Sequence, residues 1–451
     1  MERRHVGRVK TALPVTCVFK GAPEKPCSGT TWDLSQGGVS AILPRSLPKE
    51  SYLNLKIQTS PTQIVEAEGV VVWQYHVNGI PSENFASGYL TGIQFSRILE
   101  SGSDIVAKLV MGARGPADTR DFGRRTVTAR IAHTASFLPD KIVTNDHIIA
   151  NGLKSTDLTI QRALGAIERR SVQPGQNASS MMAEVAKAIL TKAKRHPSTI
   201  DMIICAVNPG DAVAPDVGST VQVRIGAHCP AFEINMSCSG WLCAVDIARR
   251  YIAGGHKAIL VLAASTVGSS LPFKSLMHRA IFGDGAGGIL LEADSSGEGD
   301  ILACELWNRG EYGTHIFAPL PWTVTPPGIP DEYKGYFYMN PAREEFFQVM
   351  DRHLIPFVNR TLRKARVSIG DIDVFLLHYP SKFLFEYSLG LLGVPQNKVV
   401  ENFSRYGNLV SAELPVLLDE NMRAGRIKRG QLVLMFTYGA GFTSACAVVR
   451  L

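Results

Sequence analysis

The sequence predicts an α/β fold for most of the chain, built from a unit that occurs twice and preceded by a small β-rich domain. From about residue 126 onward, helix-like and strand-like segments alternate, which is typical of α/β layering. Two pairs of apolar, strand-like segments carry the repeat. From Asp201 to Ile259 is 58 positions, and from Asp373 to Leu432 is 59 positions. This matched spacing indicates a duplicated unit.

Cys238 and Asn408 occupy corresponding places in the two units. Cys238 lies 37 residues after Asp201, and Asn408 lies 35 residues after Asp373. The duplication therefore predicts that a thiol from one half faces an amide side chain from the other half. Such an arrangement would form an active site on a pseudo-twofold axis.

His378 is the candidate base, because it follows a buried apolar run and should emerge at the C-terminal end of a strand, where ligands bind in open α/β sheets. A thiol needs a base or electropositive surroundings to act as a nucleophile. Cys238 precedes a helix-like stretch from Trp241, and a helix N-terminus favours a thiolate. Asn408 can only form hydrogen bonds, which suits a developing oxyanion.

Each of these three residues also has an ordinary structural interpretation. A cysteine is often a small buried hydrophobic residue, a histidine after an apolar run is often a satisfied core residue, and Gly-Asn is usually a turn. Spacing alone does not decide between these interpretations and an active site.

Residues 126–451 resemble the β-ketoacyl-[acyl carrier protein] synthase III family of the thiolase fold. The matching motifs are Ser237-Cys238-Ser239-Gly240, the glycine-rich segment 282–287, His378, Asn408, and the segments 425–427 and 441–443. The glycine segment lacks GxGxxG spacing, so it predicts close strand–helix packing rather than nucleotide binding. The resemblance implies a layered αβαβα fold with pseudo-repeats at about 126–300 and 301–451, and a homodimer.

The resemblance also implies a reaction. Cys238 would accept an acyl group, His378 and Asn408 would stabilise the carbanion left by decarboxylation of a malonyl thioester, and the backbone N–H groups of Cys238 and Ala440 would form the oxyanion hole. The implied partners are an acyl carrier protein, acyl-CoA or both. Where the family carries a tryptophan that stacks on the adenine of coenzyme A, this chain has Asp157-Leu158-Thr159-Ile160, which favours a carrier protein as donor. Tyr379-Pro380-Ser381 replaces the usual Gln-Ala-Asn.

Two alternatives remain open. One is a non-condensing acyltransferase that passes the Cys238 thioester to an alcohol or amine. The other is a catalytically idle scaffold that signals through the N-terminal domain. The presence of Cys238, His378 and Asn408 together argues against a scaffold, which has no physical need for all three.

The first hundred residues predict a small barrel of short strands, closed by a helix at 103–111 and followed by a linker at 113–125. The basic start of the chain could be a solvated tail. However, Arg4-x-x-x-Arg8 is followed by Asp33-x-Ser35-x-x-Gly38 and by the strand-like run 92–95. By these motifs residues 1–112 resemble the PilZ domain, which implies binding of cyclic di-GMP as a regulatory ligand. Two arginines would pair with phosphates and guanine edges, and the following turn would receive guanine N–H groups. The residues implied are Arg4, Arg8, Asp33, Ser35 and Gly38.

Composition bounds the remaining possibilities. The net charge of +7 is spread along the chain, and no zinc-finger or RNA-binding motif occurs, so no nucleic acid polymer is expected as partner. The eight cysteines form no disulfide framework, and the chain shows no signal peptide or long apolar span. We therefore expect a cytoplasmic protein without a membrane span. No CxxC occurs, so no bound metal is expected. No catalytic cofactor is expected either.

Overall fold

The chain forms two compact units, Met1–Gly123 and Arg124–Leu451. The computed structural model describes residues 9–10, 13–19, 22–35, 38–60, 62–78, 87–98, 128–296, 300–319, 323–340 and 343–451. The predicted helix at 103–111 and the linker at 113–125 lie outside these ranges. The exact domain boundaries therefore stay a prediction.

The N-terminal unit is a closed antiparallel barrel. Its strands are β1 Val9–Lys10, β2 Pro14–Phe19, β3 Ala22–Ser35, β4 Gly38–Leu43, β5 Tyr52–Ser60, β6 Gln63–Asn78 and β7 Ser87–Ile98. Six of them pair in the order β3-β2-β5-β6-β7-β4, and β4 pairs again with β3 to close the ring. In β5, exposed and buried side chains alternate, and Leu53, Leu55 and Ile57 point into the barrel core. The predicted small barrel is confirmed.

The second unit contains two five-stranded sheets and the helices that cover them. Its strands are β8 Thr128–Phe137, β9 Ile142–Thr144, β10 Glu168–Arg170, β11 Met202–Asn208, β12 Ala231–Ile234, β13 Ala258–Ser265, β14 Gly285–Asp294, β15 Ile301–Asn308, β16 Ile316–Phe317, β17 Tyr338–Met339, β18 Val374–Leu377, β19 Val399–Val400, β20 Leu432–Gly439 and β21 Thr443–Arg450. Its α-helices in the described ranges are α1 Asn145–Ala150, α2 Asp157–Leu164, α3 Ala178–Ala193, α4 Val217–Ile225, α5 Gly240–Ala253, α6 Val267–Ser270, α7 Leu276–Arg279, α8 Arg343–Ala365, α9 Lys382–Leu392, α10 Phe403–Tyr406 and α11 Glu413–Arg423.

The two sheets have the same topology. The first runs β12-β11-β13-β14-β8, and the second runs β19-β18-β20-β21-β15. In each sheet the first two pairings in this order are parallel, and the last two are antiparallel. The five strands of one half thus correspond in chain order to the five of the other, which is the duplication that the sequence spacing predicts.

Helices and sheets alternate in five layers. Helices α3 and α4 pack on the outer face of the first sheet, α5 and α11 lie between the sheets, and α8 and α9 pack on the outer face of the second. Both faces of the first sheet are covered by helices, so its strands are apolar on both sides. In strand β11, Met202 and Ile204 face the central layer, while Ile203 and Cys205 face the outer helices. This confirms the predicted layered αβαβα fold.

None of the helices in the described part of the chain has the length and apolar character needed to cross a membrane. Among the same residues, no group of three or more His, Cys, Asp or Glu side chains is placed to hold a metal ion.

Candidate active site

Cys238 lies in a tight turn between strand β12 and helix α5. The turn is a 3₁₀ helix, Ser237–Ser239, and α5 begins at Gly240. Ser237 has a φ of +47°, which is uncommon for a residue with a side chain and marks local strain. The turn is held from the second half, because Thr437 Oγ1 donates a hydrogen bond of 3.1 Å to the Cys238 carbonyl. The candidate nucleophile of one half is therefore positioned by a strand of the other half.

Gly439 allows this close approach. An ideal Cβ built on Gly439 would lie 2.9 Å from the Cys238 Cβ and 3.0 Å from both its backbone N and its Sγ. Such distances are below normal contact distances, so any side chain here would displace the cysteine. The residue is extended, with a φ of −165°, and the requirement for glycine is therefore one of space rather than of backbone conformation. The last residue of strand β20, Gly439, thus packs directly against Cys238.

His378 follows strand β18 directly and is 1 % exposed. Its backbone N–H donates to the Phe436 carbonyl at 2.8 Å, which continues the pairing of β18 with β20. Its ring nitrogen Nδ1 lies 2.5 Å from Glu413 Oε2, and the other carboxylate oxygen of Glu413 accepts the Tyr379 N–H at 2.9 Å. Both oxygens of one buried carboxylate therefore hold the His378 segment.

The charges around His378 favour its protonated form. Burial alone would lower the pKa of His378, but the negative charges of Glu413 and Cys238 outweigh it and raise the pKa above the ordinary value. Nε2 is buried and has no hydrogen-bond partner of good geometry among the described residues. The free side of the ring is thus electrostatically coupled to the Cys238 thiol.

Asn408 is fixed by its backbone and by one side-chain atom. Its N–H donates to the Ile281 carbonyl at 2.8 Å, and its carbonyl accepts from Gly283 N–H at 3.1 Å. Its Oδ1 accepts the Val410 N–H at 2.7 Å. Because Oδ1 is engaged in this way, the Nδ2 amide is the group left to donate to a substrate.

The glycine-rich segment supports the Asn408 loop. An ideal Cβ on Gly283 would lie 1.9 Å from the Tyr406 carbonyl oxygen, so only glycine allows these backbones to meet. Phe282 forms an isolated β-bridge with Asn408. The segment thus makes a close backbone contact, the type of role that its sequence predicts.

Ala440, the predicted second oxyanion donor, begins the 3₁₀ turn Ala440–Phe442 directly after Gly439. Its position next to the residue that contacts Cys238 is compatible with that role. The oxyanion hole itself stays a prediction.

The residues predicted to bind cyclic di-GMP lie only partly in the described ranges. Arg4 and Arg8 lie outside them. Asp33 and Ser35 belong to β3 and Gly38 to β4, and these strands form a hairpin in which Ser35 pairs with Gly38. Strand β1 pairs with the same part of β3, Val9 opposite Leu34 and Lys10 opposite Asp33. The chain that follows Arg8 therefore runs beside Asp33.

Glu413 is the site residue that sequence reasoning missed. It stands five positions after Asn408, at the start of α11, and it is 1 % exposed. The available signal was a single acidic residue directly before the apolar run Leu414-Pro415-Val416. A carboxylate is rarely buried without a partner, so this pattern indicates a buried polar contact but does not name the partner.

Comparisons with known proteins agree with this architecture. Residues 232–310 match the family model "3-Oxoacyl-[acyl-carrier-protein (ACP)] synthase III", and residues 362–451 match the model of its C-terminal part. The β-ketoacyl-[acyl-carrier-protein] synthase III of Xylella fastidiosa is 30 % identical over 328 residues, which cover 72 % of this chain and 99 % of that protein. The chain belongs to this family. The synthase III of Streptococcus suis is 32 % identical over 335 residues, which cover 72 % of this chain and 99 % of that protein.

Solved structures extend the likeness of the synthase unit to its fold. The crystal structure of 3-oxoacyl-[acyl-carrier-protein] synthase III from Aquifex aeolicus has a TM-score of 0.64 at 28 % identity, and it covers 72 % of this chain and 100 % of its own. The Thermus thermophilus enzyme has a TM-score of 0.65 at 27 % identity, and the match covers 71 % of this chain and 99 % of that chain. The unit is thus a condensing enzyme of the acyltransferase type with a thiolase fold. Residues 2–112 match the PilZ domain model, so the N-terminal barrel is a PilZ domain.

Proposed function

We propose that the synthase unit transfers an acyl group to Cys238 and condenses it with a malonyl-type thioester, with loss of CO₂. The observation that carries this proposal is the placement of Cys238 against strand β20, whose neighbour β18 is followed directly by His378. The relatives named β-ketoacyl-[acyl-carrier-protein] synthase III support the same reaction class.

In the first step, the Cys238 sulfur attacks the carbonyl carbon of an acyl thioester. The thiol proton passes to His378 Nε2, and the raised pKa of His378 favours its retention there. The tetrahedral oxyanion would be held by the backbone N–H groups of Cys238 and Ala440. Collapse of this intermediate forms the Cys238 thioester and expels the donor as a thiolate, which takes a proton from solvent.

In the second step, a malonyl thioester places its carbonyl oxygen near His378 and Asn408. The bond to the carboxylate breaks, CO₂ leaves, and the electron pair forms an enolate whose oxygen accepts hydrogen bonds from the His378 and Asn408 side chains. The enolate carbon attacks the acyl carbon on Cys238. The C–S bond then breaks, so that a β-ketoacyl thioester is released and the Cys238 thiolate is restored.

The proposed acyl donor rests on the residues of helix α2. We propose an acyl carrier protein, acyl-CoA or both as donor, with the carrier favoured because α2 presents Asp157-Leu158-Thr159-Ile160 instead of a stacking tryptophan. We also propose that the protein acts in the cytoplasm as a homodimer.

Incubation of the wild-type protein with a panel of acyl-CoA and acyl carrier donors tests the proposal. We expect the intact mass to rise by one acyl group, and subsequent addition of a malonyl thioester to remove that group with release of one CO₂. Peptide mapping should place the acyl group on Cys238. Acylation without CO₂ release from any malonyl-type thioester would contradict condensation.

A non-condensing acyltransferase is the second candidate, and one observation favours it. The 2.5 Å contact between His378 and Glu413 resembles the pairing of a general base with an orienting carboxylate. Such a base could activate an alcohol or amine to attack the Cys238 thioester. Formation of an ester or amide in the absence of malonyl thioester would establish this reading.

For the PilZ domain we propose cyclic di-GMP as regulatory ligand, bound by Arg4, Arg8, Asp33, Ser35 and Gly38. Support comes from the pairing of β1 with β3, which brings the chain after Arg8 beside Asp33 at the β3–β4 hairpin. Guanidinium groups suit phosphates and guanine edges, and the hairpin can receive guanine N–H groups. For the ligand to regulate turnover, it must bind the active and inactive arrangements with different affinity.

Arg4→Ala and Arg8→Ala should each weaken the binding of cyclic di-GMP by about 1.5–3 kcal/mol, the scale of a charged hydrogen bond. Calorimetry on the full chain measures this change. Lys56→Ala is the matched control, since it removes an exposed barrel cation that pairs with Glu66 at 2.8 Å. If calorimetry detects no binding of cyclic di-GMP to the wild-type protein, the receptor proposal is wrong. If the ligand binds tightly but the condensation rate does not change, the proposal that it regulates turnover is wrong.

A further inference from the structure

The buried carboxylate of Glu413 bears on the protonation of His378, and the inference drawn from it rests on the proposed function of Cys238 and His378. Glu413 is the first residue of α11, where the helix dipole stabilises negative charge. Its two oxygens contact two groups of one neighbouring segment, His378 Nδ1 at 2.5 Å and Tyr379 N–H at 2.9 Å. The backbone N–H can only donate, so one oxygen is an acceptor whatever the state of the histidine.

We propose that Glu413 is a positioning residue that keeps a proton on His378 Nδ1, so that His378 serves the condensation as an imidazolium. A carboxylate accepts hydrogen bonds but does not donate them, so its partner Nδ1 must carry a proton. A neutral His378 would then have only a lone pair at Nε2. Such a ring can remove the Cys238 proton, but it cannot donate to an enolate oxygen.

The proton balance of the reaction agrees with this assignment. The Cys238 proton moves to Nε2 before the sulfur attacks, which leaves a thiolate paired with an imidazolium that has protons on both nitrogens. Because the donor leaves as a thiolate and is protonated by solvent, the imidazolium persists. Nε2–H then donates to the malonyl carbonyl oxygen as the bond to CO₂ breaks. The Cys238 thiolate released at the end is again paired with the imidazolium.

Few other ionisable groups face the His378 ring. Glu413 approaches from α11, Cys238 from the turn before α5, and Tyr438 from β20 with its ring centroid 5.9 Å away and edge-on. Burial raises the pKa of Tyr438, so its hydroxyl stays neutral, and that hydroxyl lies 3.3 Å from Ser388 Oγ. Tyr379 stacks between Phe385 and Phe403. Of these groups, Glu413 is the one carboxylate that contacts the ring, and it remains there after acylation has removed the charge of Cys238.

The test is Glu413→Gln with two pH profiles. An amide has one acceptor oxygen where the carboxylate has two, and it carries no charge. The variant should therefore hold the imidazolium less well. We expect the midpoint of iodoacetamide alkylation at Cys238 to move up by about one to two pH units, the scale at which a charged hydrogen bond shifts a titration. The alkaline limb of CO₂ release should move down, because the raised pKa of His378 falls when Glu413 is lost.

Two further variants separate this role from a structural one. Asp419→Asn removes a second buried carboxylate from α11, one that contacts Thr134, Ser136 and Arg423. It should change stability without moving either profile. Glu413→Asp keeps the charge, so the midpoints of its two pH profiles should stay closer to wild type than those of Glu413→Gln. If Glu413→Gln fails to fold, the comparison of Glu413→Asp with the wild-type protein takes its place.

Unchanged midpoints in Glu413→Gln would overturn the proposal. They are the result expected if a protonated Glu413 donated to Nδ1, because an amide group could replace that donor. Equal shifts in Glu413→Gln and Asp419→Asn would also overturn it, as would a wild-type alkylation profile that follows an ordinary thiol with a midpoint near about pH 8.5. Alkylation needs neither acyl donor nor malonyl thioester, so this arm gives its answer even if condensation fails.

Discussion

Cys238→Ala should abolish covalent acylation completely, so that the intact mass of the protein stays unchanged with every acyl donor. The expected loss is total because the thioester is built on the Cys238 sulfur itself, and alanine offers no atom that could replace it. The remaining described site groups, His378 and Asn408, would still be present. Intact-mass analysis of wild type and variant under identical conditions gives the comparison.

Cys243→Ala is the matched control for this experiment. Cys243 lies five residues further along, inside α5, and is partly buried. Burial raises the pKa of its thiol, so it stays protonated and a poor nucleophile at neutral pH. The control variant should acylate like wild type. An acyl group that persists in Cys238→Ala, or that disappears in Cys243→Ala, would contradict the assignment of the nucleophile.

Asn408→Ala should separate the two chemical steps. The variant keeps Cys238 and His378, so it should still form the acyl-enzyme. It loses an amide donor to the enolate, and removal of one such donor typically lowers the rate by about 10²–10³. We therefore expect a normal mass increase with acyl donor, and a rate of CO₂ release from malonyl thioester that is reduced by about that factor.

Asn402→Ala provides the comparison for the loss of a buried asparagine in the same segment, at the other end of helix α10. Asn402 is 1 % exposed, and its Nδ2 donates to Glu420 at 3.2 Å, so its role is structural. If Asn402→Ala slows CO₂ release as much as Asn408→Ala, the effect comes from the loop and not from the amide. If Asn408→Ala releases CO₂ at the wild-type rate, Asn408 has no part in decarboxylation.

The fold could be predicted because the repeated spacing and the lengths of the hydrophobic runs can be read directly from the sequence. The nearly equal spacings from Asp201 to Ile259 and from Asp373 to Leu432 correspond to strands β11, β13, β18 and β20, which pair in matched positions of the two sheets. The spacing did not predict which strands complete each sheet. Strand β8 joins the first sheet beside β14, an antiparallel pairing over long sequence distance that no local pattern encodes.

Only the part of the candidate site that lies next to recognisable strands and helices could be predicted from the sequence. Cys238 and His378 could be identified because each follows a recognisable strand or precedes a recognisable helix. The pairing of Glu413 with His378 joins residues 35 positions apart, through the fold of α11 against β18. A glutamate at the start of a helix is also a common capping choice, so its sequence position gave no reason to expect a catalytic neighbour. The arginine pair of the PilZ domain lies outside the described residues, and its role stays a prediction.

The contact between Gly439 and Cys238 restricts how this enzyme can change its substrate range. No side chain fits at Gly439 without moving the Cys238 sulfur, so this point of the candidate site has a fixed shape. Its neighbours are less constrained in this way, since Tyr438 carries a large ring beside His378 and Ala440 carries a methyl group. A change in the shape of the site beside Cys238 would therefore occur at Tyr438 or Ala440, the residues on either side of Gly439, and not at Gly439 itself.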